Sequence, residues 1–174
     1  MLKVIGKLDP EDSSLTVDEY VPVSFRCPSV SSVPSVWWRT GNLKTSLLEI
    51  GISNSIKAIY DVTAVILPEV SIRHSSFDDL VQGSPEEISG LPLVDIADLA
   101  DDDRIVYADE PHELISYFEG DSLYIWFEEI TVVSKYYKTG RIAFGVNALN
   151  EICCVRADSL SSFEIDMIKP TIEN

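Results

Sequence analysis

The stretch "IKAIYDVTAVIL", Ile56 to Leu67, alternates apolar and polar residues with a period of two. Ile56, Ala58, Tyr60, Val62, Ala64 and Ile66 fall on one face of a strand, and Lys57, Asp61 and Thr63 fall on the other, with Ile59 and Val65 among them. A helix would scatter that pattern around its circumference, whereas a strand gathers it onto one side. Upstream, "TSLLEIGIS" places Leu48, Ile50 and Ile52 on one face, and "SNS" supplies a turn, so the two segments predict a β-hairpin.

The same period recurs along the chain. "GRIAFGV" and "EICCVRA" flank the turn-rich "NALN" and predict a second hairpin, with Ile142, Phe144 and Val146 facing one way. "SLYIWFEEITVV" sets Leu123, Ile125 and Phe127 against Tyr124 and Trp126. "LKVIGKL", "YVPVSFR", "SVWWRT" and "RIVYA" are further strands rich in Val, Ile and aromatics. Trp37 and Trp38 are adjacent, so a strand sends them to opposite faces, one into the core and one toward solvent.

Helix signals are few. "SPEEI" offers a serine cap, a proline at the first helical position and carboxylates in the first turn. "DSLSSFEIDMIK" fits either type: Leu160, Phe163 and Met167 suit a helix, and Phe163, Ile165 and Met167 suit a strand. Ser75 to Leu93 shows no sustained period and predicts a long loop with one helical turn. At 174 residues and 45% hydrophobic, with no internal repeat, the chain has material for one core. The expectation is a single domain over residues 1–174, mainly β, an antiparallel sheet or β-sandwich-like fold with one or two short helices.

No apolar run of about 18 residues predicts a membrane span, and the first residues hold no continuous apolar core of signal-peptide length. Cys27, Cys153 and Cys154 are odd in number and two are adjacent, which suits reduced thiols better than a disulfide framework. The chain is therefore expected in the cytoplasm.

Charge is the second constraint. The formal net charge is −16, and between Asp78 and Glu129 there are 16 acidic residues and one basic residue, Arg104. Solubility alone would be met by scattered charges of both signs. A concentrated field of one sign repels itself, but it also steers a cationic partner. Such a surface repels phosphate, so nucleic-acid binding is excluded.

Catalytic patterns find no foothold. His74 and His112, the two histidines, lie in no Cys/His spacing that would hold zinc, and no G-x-S-x-G elbow supports a nucleophilic triad. In "DLADDD", counting from Asp98 as an EF-hand loop puts Asp103 at the sixth position and Asp109 at the twelfth, where glycine and a bidentate glutamate belong. Carboxylate pairs of the glycosidase kind occur in any acidic chain and mean nothing without geometry. No glycine-rich phosphate loop is present. No catalytic residue, cofactor or metal is expected.

Two blocks carry a resemblance. "VWWRTGNLKTSLLEIGISNSIKAIYDVTAVIL" and "GRIAFGVNALNEICCVRADSLSSFEI", about a third of the chain, are similar to small bacterial immunity proteins of contact-dependent growth inhibition systems, which are encoded beside polymorphic toxins. The resemblance implies a non-catalytic inhibitor that binds the C-terminal domain of its cognate toxin. It supplies no architecture, because these folds vary widely. Joined to the charge argument, it points to a basic toxin, a nuclease, whose cationic groove the carboxylates plug by imitating a phosphate backbone.

The expected toxin-binding residues lie between the two hairpins. Asp98, Asp101, Asp102, Asp103, Asp109, Glu110 and Glu113 would pair with toxin Lys and Arg, flanked by Asp95, Glu119 and Asp121. Tyr107 and Trp126 are apolar anchors if exposed and core residues if not. Two other readings stay open: an acidic nucleic-acid mimic or regulatory subunit binding a host nucleic-acid-binding protein, and an enzyme with an acidic site.

Overall fold

The computed structural model describes residues 1–30, 35–68, 70–72, 85–99, 104–128 and 130–169. The strands are β1 (Val4–Leu8), β2 (Ser14–Thr16), β3 (Val23–Arg26), β4 (Ser35–Thr40), β5 (Leu47–Ser53), β6 (Ile59–Ile66), β7 (Val70–Ile72), β8 (Glu86–Ser89), β9 (Leu91–Val94), β10 (Val106–Asp109), β11 (Leu114–Glu119), β12 (Ser122–Phe127), β13 (Lys135–Thr139), β14 (Ile142–Val146) and β15 (Ile152–Ala157). A 3-10 turn spans Pro28–Val30, and α1 spans Ser162–Ile168. The chain is mainly β, with one short α-helix among the described residues.

Two large sheets and one small one form. The six-stranded sheet runs β10-β4-β5-β6-β3-β2, the seven-stranded sheet runs β7-β11-β12-β15-β14-β13-β8, and β1 pairs with β9. Pairing is antiparallel except at three places: β10 on β4, β7 on β11 and β8 on β13. All three parallel strands are sheet edges, and all come from the stretch between the hairpins. A parallel partner needs a long connection, which this stretch provides.

The inner faces of the two large sheets share one apolar cluster. It takes Phe25, Trp38, Leu48, Ile50, Ile52 and Val62 from one sheet and Leu123, Ile125, Phe127, Ile142, Phe144 and Val155 from the other. Trp38 meets Phe127 across the gap, ring centroids 5.6 Å apart. This is sandwich packing, with alternate residues of each strand turned inward. The expected faces of Leu48/Ile50/Ile52, Leu123/Ile125/Phe127 and Ile142/Phe144/Val146 are all buried here, and Trp38 is the inward member of its pair.

A second cluster covers the outer face of the seven-stranded sheet, built from Tyr117, Trp126, Tyr136, Ala143, Cys153 and Cys154 with Ile130 and Val133 laid over it. The adjacent cysteines share this cluster because the β14–β15 register slips between Gly145 and Val146, where Cys154 pairs Gly145 and Ile152 pairs Val146. The extra residue of such a bulge keeps its neighbour's face. A side chain at Gly145 would meet the Cys154 sulfur at 2.4 Å, so the glycine is required there. All three cysteines are free and buried.

Three expectations are corrected. "SPEEI" is not a helical turn: Glu86–Ser89 is β8, paired in parallel with β13. The predicted loop Ser75 to Leu93 also contains the start of β9, while residues 73–84 lie outside the described part. Tyr60 does not share a face with Val62 and Ala64, because the β5–β6 register slips between Gly51 and Ile52 and leaves Tyr60 as the extra residue beside Asp61. The ambiguous "DSLSSFEIDMIK" is helical, started by a capping box in which Ser161 and Glu164 exchange hydrogen bonds.

Candidate binding face

β10 alternates as a half-covered edge should. Val106 and Ala108 pack against the core cluster, and Tyr107 and Asp109 face solvent. Its register with β4 sets Tyr107 beside Trp37 and Asp109 beside Arg39. The Arg39 guanidinium grips Asp109 through two hydrogen bonds, Nε to Oδ1 at 2.6 Å and Nη2 to Oδ2 at 3.0 Å. It also lies 5.0 Å over the Tyr107 ring. The Asp109 carboxylate first, and Glu49 more weakly, hold Arg39 above its usual basicity. Tyr107 remains 60% exposed.

The other expected residues divide into separate places. Asp95 and Asp98 are exposed beyond β9, and Asp95 Oδ1 accepts the Ala97 N–H at 3.1 Å in a local turn. Asp101, Asp102 and Asp103 lie outside the described residues. Glu110 turns inward: it accepts the Trp38 indole N–H at 2.8 Å, and its other oxygen meets the N-terminal ammonium. Burial works to raise its pKa, but the ammonium and the Trp38 donor outweigh it and hold the carboxyl below its ordinary range. His112 sits between Glu110 and Glu128, with Nε2 3.3 Å from one and Nδ1 2.5 Å from the other.

Glu113 is exposed before the first residue of β11, Glu119 is the exposed last residue of that strand, and Asp121 is exposed in the turn after it. Five strand residues lie between Glu113 and Glu119, a span of roughly 20 Å. Among the described residues the acidic segment therefore makes no single patch: Tyr107, Asp109 and Glu110 lie together, and Glu119 and Asp121 lie at the far end of the other sheet. Trp126 is 4% exposed and donates its indole N–H to Tyr117 Oη at 3.3 Å. It is a core residue of the second cluster, not a surface anchor.

The outer face of the six-stranded sheet holds a site that the sequence reading missed. One row of neighbours runs Tyr107, Trp37, Gly51, Asp61, Arg26 across β10, β4, β5, β6 and β3. Because Gly51 has no side chain, Trp37 and Tyr60 close in from either side, and they meet edge-on with centroids 6.1 Å apart at 72°. A Cβ at Gly51 would come within 3.0 Å of Asp61, 3.1 Å of Tyr60 and 3.2 Å of Trp37. What remains is a cleft of about 480 Å³ lined by Arg26, Cys27, Pro28, Trp37, Tyr60 and Asp61.

Asp61 is the buried charge of that cleft, 3% exposed. Its Oδ1 accepts the Thr63 hydroxyl at 2.9 Å, and its Oδ2 lies 3.1 Å from Arg26 Nε. Burial pushes its pKa up, and the Thr63 hydrogen bond and the Arg26 charge recover only part of the lost hydration. The signals in the sequence were a glycine inside a strand pattern, which marks a close approach, and an aspartate inside an apolar run.

The described residues contain no group of three or more His, Cys, Asp or Glu that would hold a metal ion. No helix among them is long and apolar enough to cross a membrane. The face carries one exposed aromatic, Tyr107, the cleft beside Trp37, and the Asp109 carboxylate at the sheet edge. No protein-family model matches the sequence, and no curated protein matches it.

Proposed function

We propose that this chain is a non-catalytic inhibitor acting in the cytoplasm, an immunity protein that binds a basic toxin domain, a nuclease, and occludes it. The observation that carries the reading is where the acidic excess lies. Among the described residues, the segment holding 16 acidic residues against one basic residue supplies edge strands β8 and β10, strand β9, exposed turns and the interior β11–β12 hairpin, while the central strands of the six-stranded sheet come from elsewhere. Its repulsion is tolerated at the rim, where a basic partner relieves it. Charged side chains on an edge also discourage strand addition, but Tyr107, 60% exposed with the Arg39 guanidinium over its ring, adds an aromatic of the kind that anchors interfaces.

The test is co-expression with the C-terminal domain of the toxin encoded beside it. Restored growth together with a complex that co-purifies at low salt and weakens as salt rises supports the reading. Growth restored without any complex, or a complex indifferent to salt, contradicts it.

A further inference from the structure

We propose that Leu43, in the turn between β4 and β5, is an apolar anchor that seats in a pocket of the basic partner. This inference rests on the reading of a basic partner given above, and it names the place where that partner's surface turns apolar.

The backbone at Leu43 is left-handed, with φ at 61°. A side chain crowds the neighbouring carbonyl there, a cost that glycine avoids and asparagine or aspartate tolerates. The other residues with positive φ among those described are glycines or the polar Lys57, Glu128, Asn150 and Ser159. Leu43 alone among the described residues puts an apolar side chain in that conformation. Burial does not repay it, because Leu43 is 41% exposed and belongs to neither apolar cluster. Neither folding nor solubility accounts for a leucine at this position, and backbone outliers of this kind gather at functional sites.

The turn holds Leu43 in place. Asn42 Oδ1 accepts the backbone N–H groups of Lys44, Thr45 and Ser46 at 3.0, 2.8 and 3.2 Å, and Asn42 Nδ2 donates to Thr45 Oγ1 at 2.7 Å. The Leu43 N–H donates to the Ser46 carbonyl at 3.0 Å. An apolar side chain fixed before the encounter loses little freedom on binding.

Position assigns the occupant. β4 runs into this turn after Thr40, and β10, parallel to β4, ends at Asp109 beside Arg39, with the Glu110 N–H bonded to the Arg39 carbonyl. Leu43 is four residues beyond Arg39, at most about 14 Å along the chain. A domain held by its basic groups at the β10 edge therefore reaches the turn. Lys44, exposed beside Leu43, repels a cationic surface, so the acidic field stops here and the contact beyond it is apolar. An apolar pocket bordered by the partner's basic groups fits both sides of that boundary.

The experiment measures the melting temperature of the full chain and its affinity for the C-terminal domain of the toxin encoded beside it, at low and high salt. The parent is compared with Leu43→Gly, Leu43→Asn and Leu43→Met. Glycine and asparagine suit the left-handed backbone and remove the apolar side chain. Both variants should melt at or above the parent's temperature yet bind about tenfold more weakly or worse. That loss should be the same at both salt concentrations, because an apolar contact is not screened. Methionine, apolar and of similar volume, should bind as the parent does. Parent-like binding by the Gly and Asn variants overturns the inference and leaves the basic partner standing. So does a melting temperature several degrees below the parent's in both, which makes Leu43 a packing residue. A loss seen at low salt alone overturns it too, because the contact would then be electrostatic. A parent chain that binds no toxin domain at either salt overturns the reading of a basic partner and this contact with it.

Discussion

Arg39 on β4 reaches across a parallel pairing to hold both oxygens of Asp109 on β10, at 2.6 and 3.0 Å. Edge strand β10 is thus tied to the sheet by an ion pair, and one of its carboxylates is already occupied. The pair is partly exposed, with side-chain accessibilities of 30% and 42%, so it adds no more than about 1 kcal/mol to stability.

Replacing Arg39 with Gln should therefore cost little stability and release Asp109 into the acidic edge. The net charge becomes more negative by one, and association with a basic toxin domain at low salt should be faster than for the parent. Stopped-flow association rates check this; a slower rate with an unchanged fold would mean that Arg39 itself contacts the partner.

Asp61 should limit stability rather than add to it. A carboxyl whose pKa is raised by folding is less favourable as carboxylate in the native state than in the unfolded chain, so at neutral pH it subtracts. That cost fades as pH falls through the raised value toward the unfolded value near about 3.9. Asp61→Asn is expected to hold or raise the melting temperature at pH 7, with the gain vanishing in acid. A clear drop at pH 7 would show that the Arg26 contact compensates burial fully.

Glu164 works in the opposite direction. Hydrogen bonds from Arg141 first, and then from the Ser161 backbone and hydroxyl, lower its pKa to about 2 against burial. A lowered carboxyl stabilises above its unfolded pKa, near about 4.3, and that contribution is lost as pH falls toward about 2. Urea midpoints between those limits should fall less steeply for Glu164→Gln than for the parent. Equal slopes would refute the capping role.

Arg156 should be the most costly charged residue to remove. It pairs Glu87 at 2.6 Å and Asp158 at 2.6 Å, lies 4.3 Å over the Tyr136 ring, and shares Asp158 with Lys138. It thereby ties edge strand β8 to the middle of the sheet. Arg156→Leu leaves Asp158 short of a partner in a largely buried position, and should cost about 3 kcal/mol or more in chemical denaturation. A loss below about 1 kcal/mol would place the network among ordinary surface ion pairs.

The sandwich was legible in the sequence where a strand keeps one phase from end to end, as β12 and β14 do. It was not legible at Tyr60, because one extra residue in a bulge moves every later side chain of the pattern to the other face. β8 carried the local marks of a helix start, yet a four-residue edge strand is decided by its partner β13, far along the chain. The candidate site failed to gather for a related reason. Nearness in sequence put Glu113 and Asp121 in one acidic stretch, and an intervening strand carried them to opposite ends. The cleft needed a bulge, a glycine and three strands in register, which no local pattern announces.

The central claim is that the acidic segment recognises a basic partner, and one measurement tests it most directly. Asp98, Asp101, Asp102 and Asp103 are replaced together by Asn, and toxin-domain binding is followed by titration calorimetry and association kinetics at low and high salt. Asp98 is exposed on the described turn, and the other three lie outside the described residues. The account predicts an intact fold, weaker affinity, slower association at low salt and a shallower dependence on ionic strength, because long-range attraction sets the encounter rate. Affinity and association rate equal to the parent's at both salt concentrations would contradict it.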